Sequence, residues 1–170
     1  MARFAMKDLL AAESIRTALD VHGVAPWGIA RHLETLLTSH DGALLVATLE
    51  LDDAIMMEAV DMFCEFDASE LITGNTDVSL YATVATAYVA TSHGYFDEAY
   101  KYALKVLSCD EVDTRSRDFA LKVSAAHERN DDMWFDDLVN TARKDLEKAR
   151  SDYEAQLADV DGYVRLQDDK

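Results

Sequence analysis

Apolar residues recur along most of this chain at intervals of three and four, the spacing of one face of an α-helix, and the polar positions between them rarely alternate as a strand would require. Leu9, Leu10, Ile15, Ala18 and Leu19 define a first helix from about Met6 to His22, stopped by Gly23. A second starts near Pro26, a favourable first-turn position, and buries Ile29, Leu33, Leu36 and Leu37 before a break over Thr38-Ser39-His40-Asp41-Gly42. The stretch from Ala43 to Phe66 is mixed. One continuous helix would put Asp52 in the middle of its apolar face, so the pattern favours a break at Leu51, with Asp52 as the N-cap of a helix from Asp53 to Phe66. Leu44 to Leu51 then reads as a shorter helix or, as the weaker alternative, a strand.

Ser69 to Gly74 reads as a short helical turn, and Asn75-Thr76-Asp77 supplies cap-type residues before a helix from Val78 to Ser92. Gly94 separates that helix from the next, Tyr95 to Leu107, whose Phe96, Ala99, Tyr100, Ala103, Val106 and Leu107 share a face. Asp113 or Thr114 caps a helix reaching Arg129, with Phe119, Ala120, Val123 and Ala126 inward and Asn130 as its end. The last element begins near Asp131. Its stripe of Phe135, Leu138, Ala142, Leu146, Ala149, Tyr153, Leu157 and Val160 follows nearly an 11-residue repeat, which keeps it on one side of a straight helix over 131–161, with 163–170 as a tail. At ~1.5 Å per residue that helix spans roughly 45 Å, so it is expected to overhang the domain and to self-associate through the uncovered stripe. The chain is therefore read as one all-α domain over 1–170, a compact bundle or short solenoid of antiparallel helices with a long C-terminal helix.

Composition agrees with a folded domain: 49% of the 170 residues are hydrophobic, which excludes a disordered chain in spite of a formal charge of −17. Two cysteines, Cys64 and Cys109, are too few for a disulfide framework and read as ordinary thiols. Neither a signal-peptide pattern nor a membrane-spanning run is visible, so the cytoplasm of a cell or infected host, or a virion, is the expected location and no membrane partner is expected.

Charge changes the picture more. From His32 to Tyr100 there are 13 acidic residues and no Lys or Arg, and all 16 basic residues lie outside that stretch. Such a surface repels nucleic acid, anionic membranes and phosphate ligands and attracts basic protein surfaces. Glu50, Asp53, Glu58, Asp61 and Glu65 project onto one side of an ideal helix and form the candidate partner-binding face.

One segment resembles a known family. His93-Gly94-Tyr95-Phe96-Asp97-Glu98-Ala99, followed by Ala103, Val106, Leu107 and Asp110, is similar to the second half of a tetratricopeptide-type helical hairpin, a likeness covering about one repeat over 80–111. It implies a glycine ending the first helix of the pair and a small alanine at the tight crossing. The first helix departs from the pattern at Thr83 and Ala90, and Glu111 stands where the closing proline belongs.

Candidate chemistry is sparse. Glu50-x-x-Asp53 and Glu58-x-x-Asp61 have the spacing of divalent-cation pairs and resemble the all-α nucleotide pyrophosphatases, which use magnesium. The two pairs are too close in sequence to come from facing helices, the Glu-x-x-Glu partner is missing, and no basic residue lies nearby for a phosphate. His32-Leu33-Glu34 imitates a zinc deaminase start without its Pro-Cys-x-x-Cys, and no Glu-x-x-His of di-iron bundles occurs. His22, His40 and His93 are placed at helix C-termini, where a cation suits the dipole. Trp134 beside Phe135 at the start of the last helix reads as core or as a docking pair, and with Leu146, Tyr153 and Leu157 forms a second candidate surface for a partner or for self-association.

Three readings remain open, with no catalytic residue, metal or cofactor assigned. The first is a non-enzymatic α-helical interaction protein, a viral or mobile-element accessory or virion component that grips itself or a basic protein partner without touching nucleic acid. The second is a DNA-mimic inhibitor of a nucleic-acid-binding host enzyme. Duplex DNA carries one charge per ~1.7 Å, whereas Glu58, Asp61 and Glu65 place three along roughly 10 Å of helix, so mimicry needs Asp41, Glu70 and Asp77 to extend the row. The third is adaptation to high salt, suggested by 22 Asp against 7 Lys. The magnesium-dependent enzyme stands behind all three.

Overall fold

The computed structural model describes residues 4–19, 27–49, 76–109, 112–130 and 132–168. Within them the chain forms seven helices and no strand: α1 (Met6–Leu19), α2 (Trp27–Leu36), α3 (His40–Thr48), α4 (Thr76–Ser92), α5 (Phe96–Leu107), α6 (Thr114–Arg129) and α7 (Asp132–Asp168). This is an all-α bundle. The break expected at Leu51, the helix over 53–66, His22 and the five carboxylates from Glu50 to Glu65 lie outside the described residues.

Helix α4 is the hub. Every residue from Leu80 to Ala85 is buried, and α3, α5, α6 and α7 all pack against it. A helix surrounded on all sides must be apolar all round, and the small side chains of Ala82, Ala85, Ala87 and Ala90 let neighbours approach. Two of its threonines bond within the helix: the Thr86 and Thr91 hydroxyls donate to the carbonyls of Ala82 and Ala87, each at 2.8 Å. Ile29, Leu33, Leu36 and Leu37 of the α2 segment are fully buried as their spacing predicts. On α1 the expected face is offset, because Leu9, Ala12 and Ile15 are buried while Leu10 is exposed.

Helix starts and stops obey local chemistry. Ser39 caps α3 by accepting from the Gly42 amide at 3.0 Å, and Asp113 caps α6 by accepting from the Ser116 amide at 3.1 Å. The α4–α5 turn is a Schellman closure around Gly94, which adopts φ +79; the Tyr95 amide donates to the Ala90 carbonyl at 2.9 Å and the Gly94 amide to Thr91 at 3.0 Å. Asn130, at φ 49, ends α6 in the left-handed conformation that asparagine tolerates. At Gly42 the chain passes so close to α2 that a Cβ would lie 1.8 Å from the Leu36 carbonyl oxygen, so only glycine fits.

Three expectations need correction. His40 is the first residue of α3 and buried, not the end of the preceding helix, because the Ser39 side chain caps the start of α3. The last helix runs through Gly162 to Asp168, so 163–168 is helix rather than tail; an isolated glycine costs about 1 kcal/mol in a helix and does not by itself stop one. The stripe on α7 is covered within the chain through Leu157. Phe135, Leu138, Ala142, Ala149 and Tyr153 are buried, Leu146 and Leu157 pack half-buried on the core, and α3, α4 and α6 lie against the helix. It is therefore not the uncovered surface on which the expectation of self-association rested.

The middle of α7 is fastened to the N-terminal segment. Gln156 bridges both backbone groups of Phe4, accepting from its amide at 2.8 Å and donating to its carbonyl at 3.0 Å. The Tyr153 hydroxyl donates to Glu13, and the Arg16 guanidinium lies 6.0 Å from the Tyr153 ring centre. Burial, reinforced by the hydrogen bond to Glu13, pushes the Tyr153 phenol up to about 12.

Candidate functional site

Helix α6 carries two polar clusters, one at each end. At its N-terminus His40, Tyr81, Tyr88, Asp113 and Ser116 meet in the interior. His40 Nδ1 lies 2.8 Å from Ser116 Oγ and its Nε2 lies 3.2 Å from the Tyr88 hydroxyl, while the Tyr81 hydroxyl donates to Asp113 Oδ1 at 2.9 Å. Burial works against the Asp113 carboxylate, but hydrogen bonds from the Ser116 hydroxyl and amide and from Tyr81 outweigh it and hold the group below the usual carboxylate range. Ser116 thus stands between the Asp113 carboxylate and the Nδ1 side of the His40 ring, and Tyr88 meets the ring from the Nε2 side. The Tyr88 ring stacks on Phe119 at 3.8 Å between centres.

Serine, histidine and aspartate together invite comparison with a hydrolytic triad, and the geometry rejects it. In a working triad the carboxylate and the nucleophile occupy opposite ring nitrogens. Here Ser116 and Asp113 both sit on the Nδ1 side, Asp113 Oδ2 at 3.9 Å, and Tyr88 takes Nε2. Ser116 is moreover 1% exposed. The cluster is a latch joining α3, α4 and α6, and on the surface above it the Arg115–Asp41 ion pair at 2.9 Å adds a second link between α3 and α6.

The C-terminal end of α6 is open. Gly94, Tyr95, Phe96, Asp97, Glu98, His127, Asn130 and Phe135 line a groove of about 680 Å³ where the α4–α5 turn, the end of α6 and the start of α7 converge. Its floor is the stacked pair Phe96 and Phe135, ring centres 4.0 Å apart. His127 Nε2 lies 3.0 Å from Asp97 Oδ1, and its ring stacks on Tyr100 at 3.9 Å. Just outside, the Arg129 guanidinium covers the Trp134 ring at 4.4 Å, and Arg143 of α7 donates to the Ser92 carbonyl at 3.0 Å, closing the end of α4.

The structure separates the second candidate surface. Phe135 is buried in the groove floor, Trp134 remains 39% exposed beside it, and Leu146, Tyr153 and Leu157 belong to the packing of α7. The acidic residues Glu50, Asp53, Glu58, Asp61 and Glu65 lie outside the described residues. Among the described residues no group of three or more His, Cys, Asp or Glu side chains is disposed to hold a metal ion, and no helix is long and apolar enough to cross a membrane. The groove and the latch were both missed in the sequence. Asp113 or Thr114 reads as a cap, which gives no sign that Ser116 in the same turn meets His40 76 residues away, and Gly94 and Asn130 signal helix ends without showing that they share one hollow.

Comparison with protein families, with curated proteins and with solved structures finds no match to this chain.

Proposed function

We propose that this chain is a non-enzymatic, acidic α-helical interaction protein whose partner presents a basic protein surface. The observation that carries this reading is the run of 13 acids without a single Lys or Arg over 32–100, a distribution that costs stability through self-repulsion and is more readily explained by a partner than by folding. Asp97 and Glu98 belong to that run and stand exposed beside an aromatic groove, which supplies apolar contact next to the charge.

The test is reconstitution. A partner recovered by affinity capture is purified and its association with the chain is followed by stopped flow at several salt concentrations. Replacing Glu58, Asp61 and Glu65 together by Gln is expected to slow association and flatten the salt dependence while leaving the fold intact. Full affinity in that variant together with an Asp97→Asn, Glu98→Gln variant would overturn the reading, as would a partner that is itself acidic.

A further inference from the structure

We propose that the groove at the α4–α5 turn receives an arginine-bearing segment of a partner chain, with a large apolar residue next to the arginine, and that Asp97 and Glu98 hold the guanidinium. This deepens the proposed function and rests on it only for the sign of the partner.

The groove offers two complementary chemistries side by side. Its floor is the Phe96–Phe135 pair, with Tyr95 exposed at the edge, a surface suited to an aliphatic or aromatic side chain. Its rim is anionic. The Asp97 side chain is 99% exposed and engages His127 through one oxygen only, leaving the other free; Glu98 makes no ion pair among the described residues. Asp136 and Asp137, exposed on α7 immediately after Phe135, extend the same sign. The cations close by are already engaged: Arg129 lies over Trp134 and Arg143 is bound to the Ser92 carbonyl.

An anionic ligand is disfavoured although the groove contains the start of α5, because Asp97 and Glu98 occupy that first turn and meet the helix dipole themselves. Arginine is preferred over lysine. A planar guanidinium can bridge two carboxylates while its face lies on an aromatic ring, whereas an ammonium is a point charge with a stronger hold on water. The stacking of Arg129 on Trp134, next to the groove, is an instance of that geometry within the molecule.

The experiment is a titration of the full-length ¹⁵N-labelled chain with the peptide acetyl-Gly-Arg-Leu-Arg-Gly-amide, read by amide shifts, beside the same peptide carrying neutral citrulline in place of arginine and one carrying lysine. Saturable shifts are expected to centre on Gly94, Glu98, His127 and Asn130, about tenfold weaker with citrulline and several-fold weaker with lysine. The Asp97→Asn, Glu98→Gln variant, with unchanged circular dichroism, is expected to lose affinity by about fivefold or more. Equal binding of the citrulline peptide, or shifts spread evenly over all exposed acids, overturns the proposal. Shifts confined to residues 50–65 also overturn it, while leaving the basic-partner reading in place; an acidic partner in the reconstitution removes that reading without touching the peptide result.

Discussion

The two ends of α6 present the same residue types to opposite effect. Each places a histidine near an aspartate and against a tyrosine: His40 with Asp113 and Tyr88 at the start, His127 with Asp97 and Tyr100 at the finish. At the start both ring nitrogens are engaged in a buried network, where an unmade hydrogen bond is expensive. At the finish one nitrogen touches a carboxylate that is almost wholly in water, where a polar contact competes with solvent and contributes little. Burial, rather than residue identity, divides a part that holds the fold from a part that faces solvent. From Ser116 to His127 the helix rises by roughly 17 Å, so one can be altered without disturbing the other.

The largest expected effect lies at the closed end. Gly42→Ala forces a Cβ to within 1.8 Å of the Leu36 oxygen, a backbone clash that α2 and α3 can relieve only by separating, and a loss of about 3 kcal/mol or more in urea unfolding is expected. Phe119→Ala removes the ring stacked on Tyr88 and should cost about 3 kcal/mol. Asp113→Ala deletes the α6 cap and the acceptor for Tyr81, at about 1–2 kcal/mol near neutral pH. The folded-state pKa of Asp113 is depressed, so its contribution is present above its unfolded value of 3.8 and fades as pH falls through the lower folded value. Melts of wild type and variant should therefore converge in strong acid, and a gap that stays constant below pH 3.8 would show that the carboxylate charge is immaterial.

Tyr153 gives the opposite sign. Its folded pKa is raised to about 12, so the stability it provides by tying α7 to α1 is complete below pH 10.0 and is lost as pH climbs towards 12. Absorbance titration should show a late phase that accompanies unfolding, and Tyr153→Phe should shrink that phase by one tyrosine. At the open end effects shrink. Asp97→Asn with Glu98→Gln should change stability by less than about 0.5 kcal/mol, since neither side chain is buried. A larger loss would mean that the groove rim supports the fold and would erase the contrast.

How much of this was legible in the sequence depended on where the information sits along the chain. The limits of α6 were readable because Asp113 and Asn130 act on their own neighbours, and the same holds for the Gly94 turn. Helix α4 was readable as a helix but not as the hub, since a helix buried on every side has no polar face to orient it. His40 was misplaced because Ser39 can close one helix or open the next with the same side chain, and only the position of Gly42 against Leu36 decides. The length of α7 is underestimated because Gly162 reads locally as a helix end. Its stripe looked uncovered because nothing in a local pattern reveals that Phe4, Glu13 and Arg16 return to meet Tyr153 and Gln156 some 140 to 150 residues later. Both polar clusters are likewise tertiary: each joins residues at least 30 positions apart.

The claim that burial gives the two ends different work is tested most directly by making one substitution at both. His40→Ala and His127→Ala are compared by equilibrium urea unfolding under identical conditions. His40→Ala should cost about 2–4 kcal/mol, because it removes the buried hydrogen bonds that His40 makes with Ser116 and Tyr88 and opens a void in the interior, whereas His127→Ala should cost less than about 1 kcal/mol. Equal losses at the two sites, or a greater loss at His127, would contradict the account.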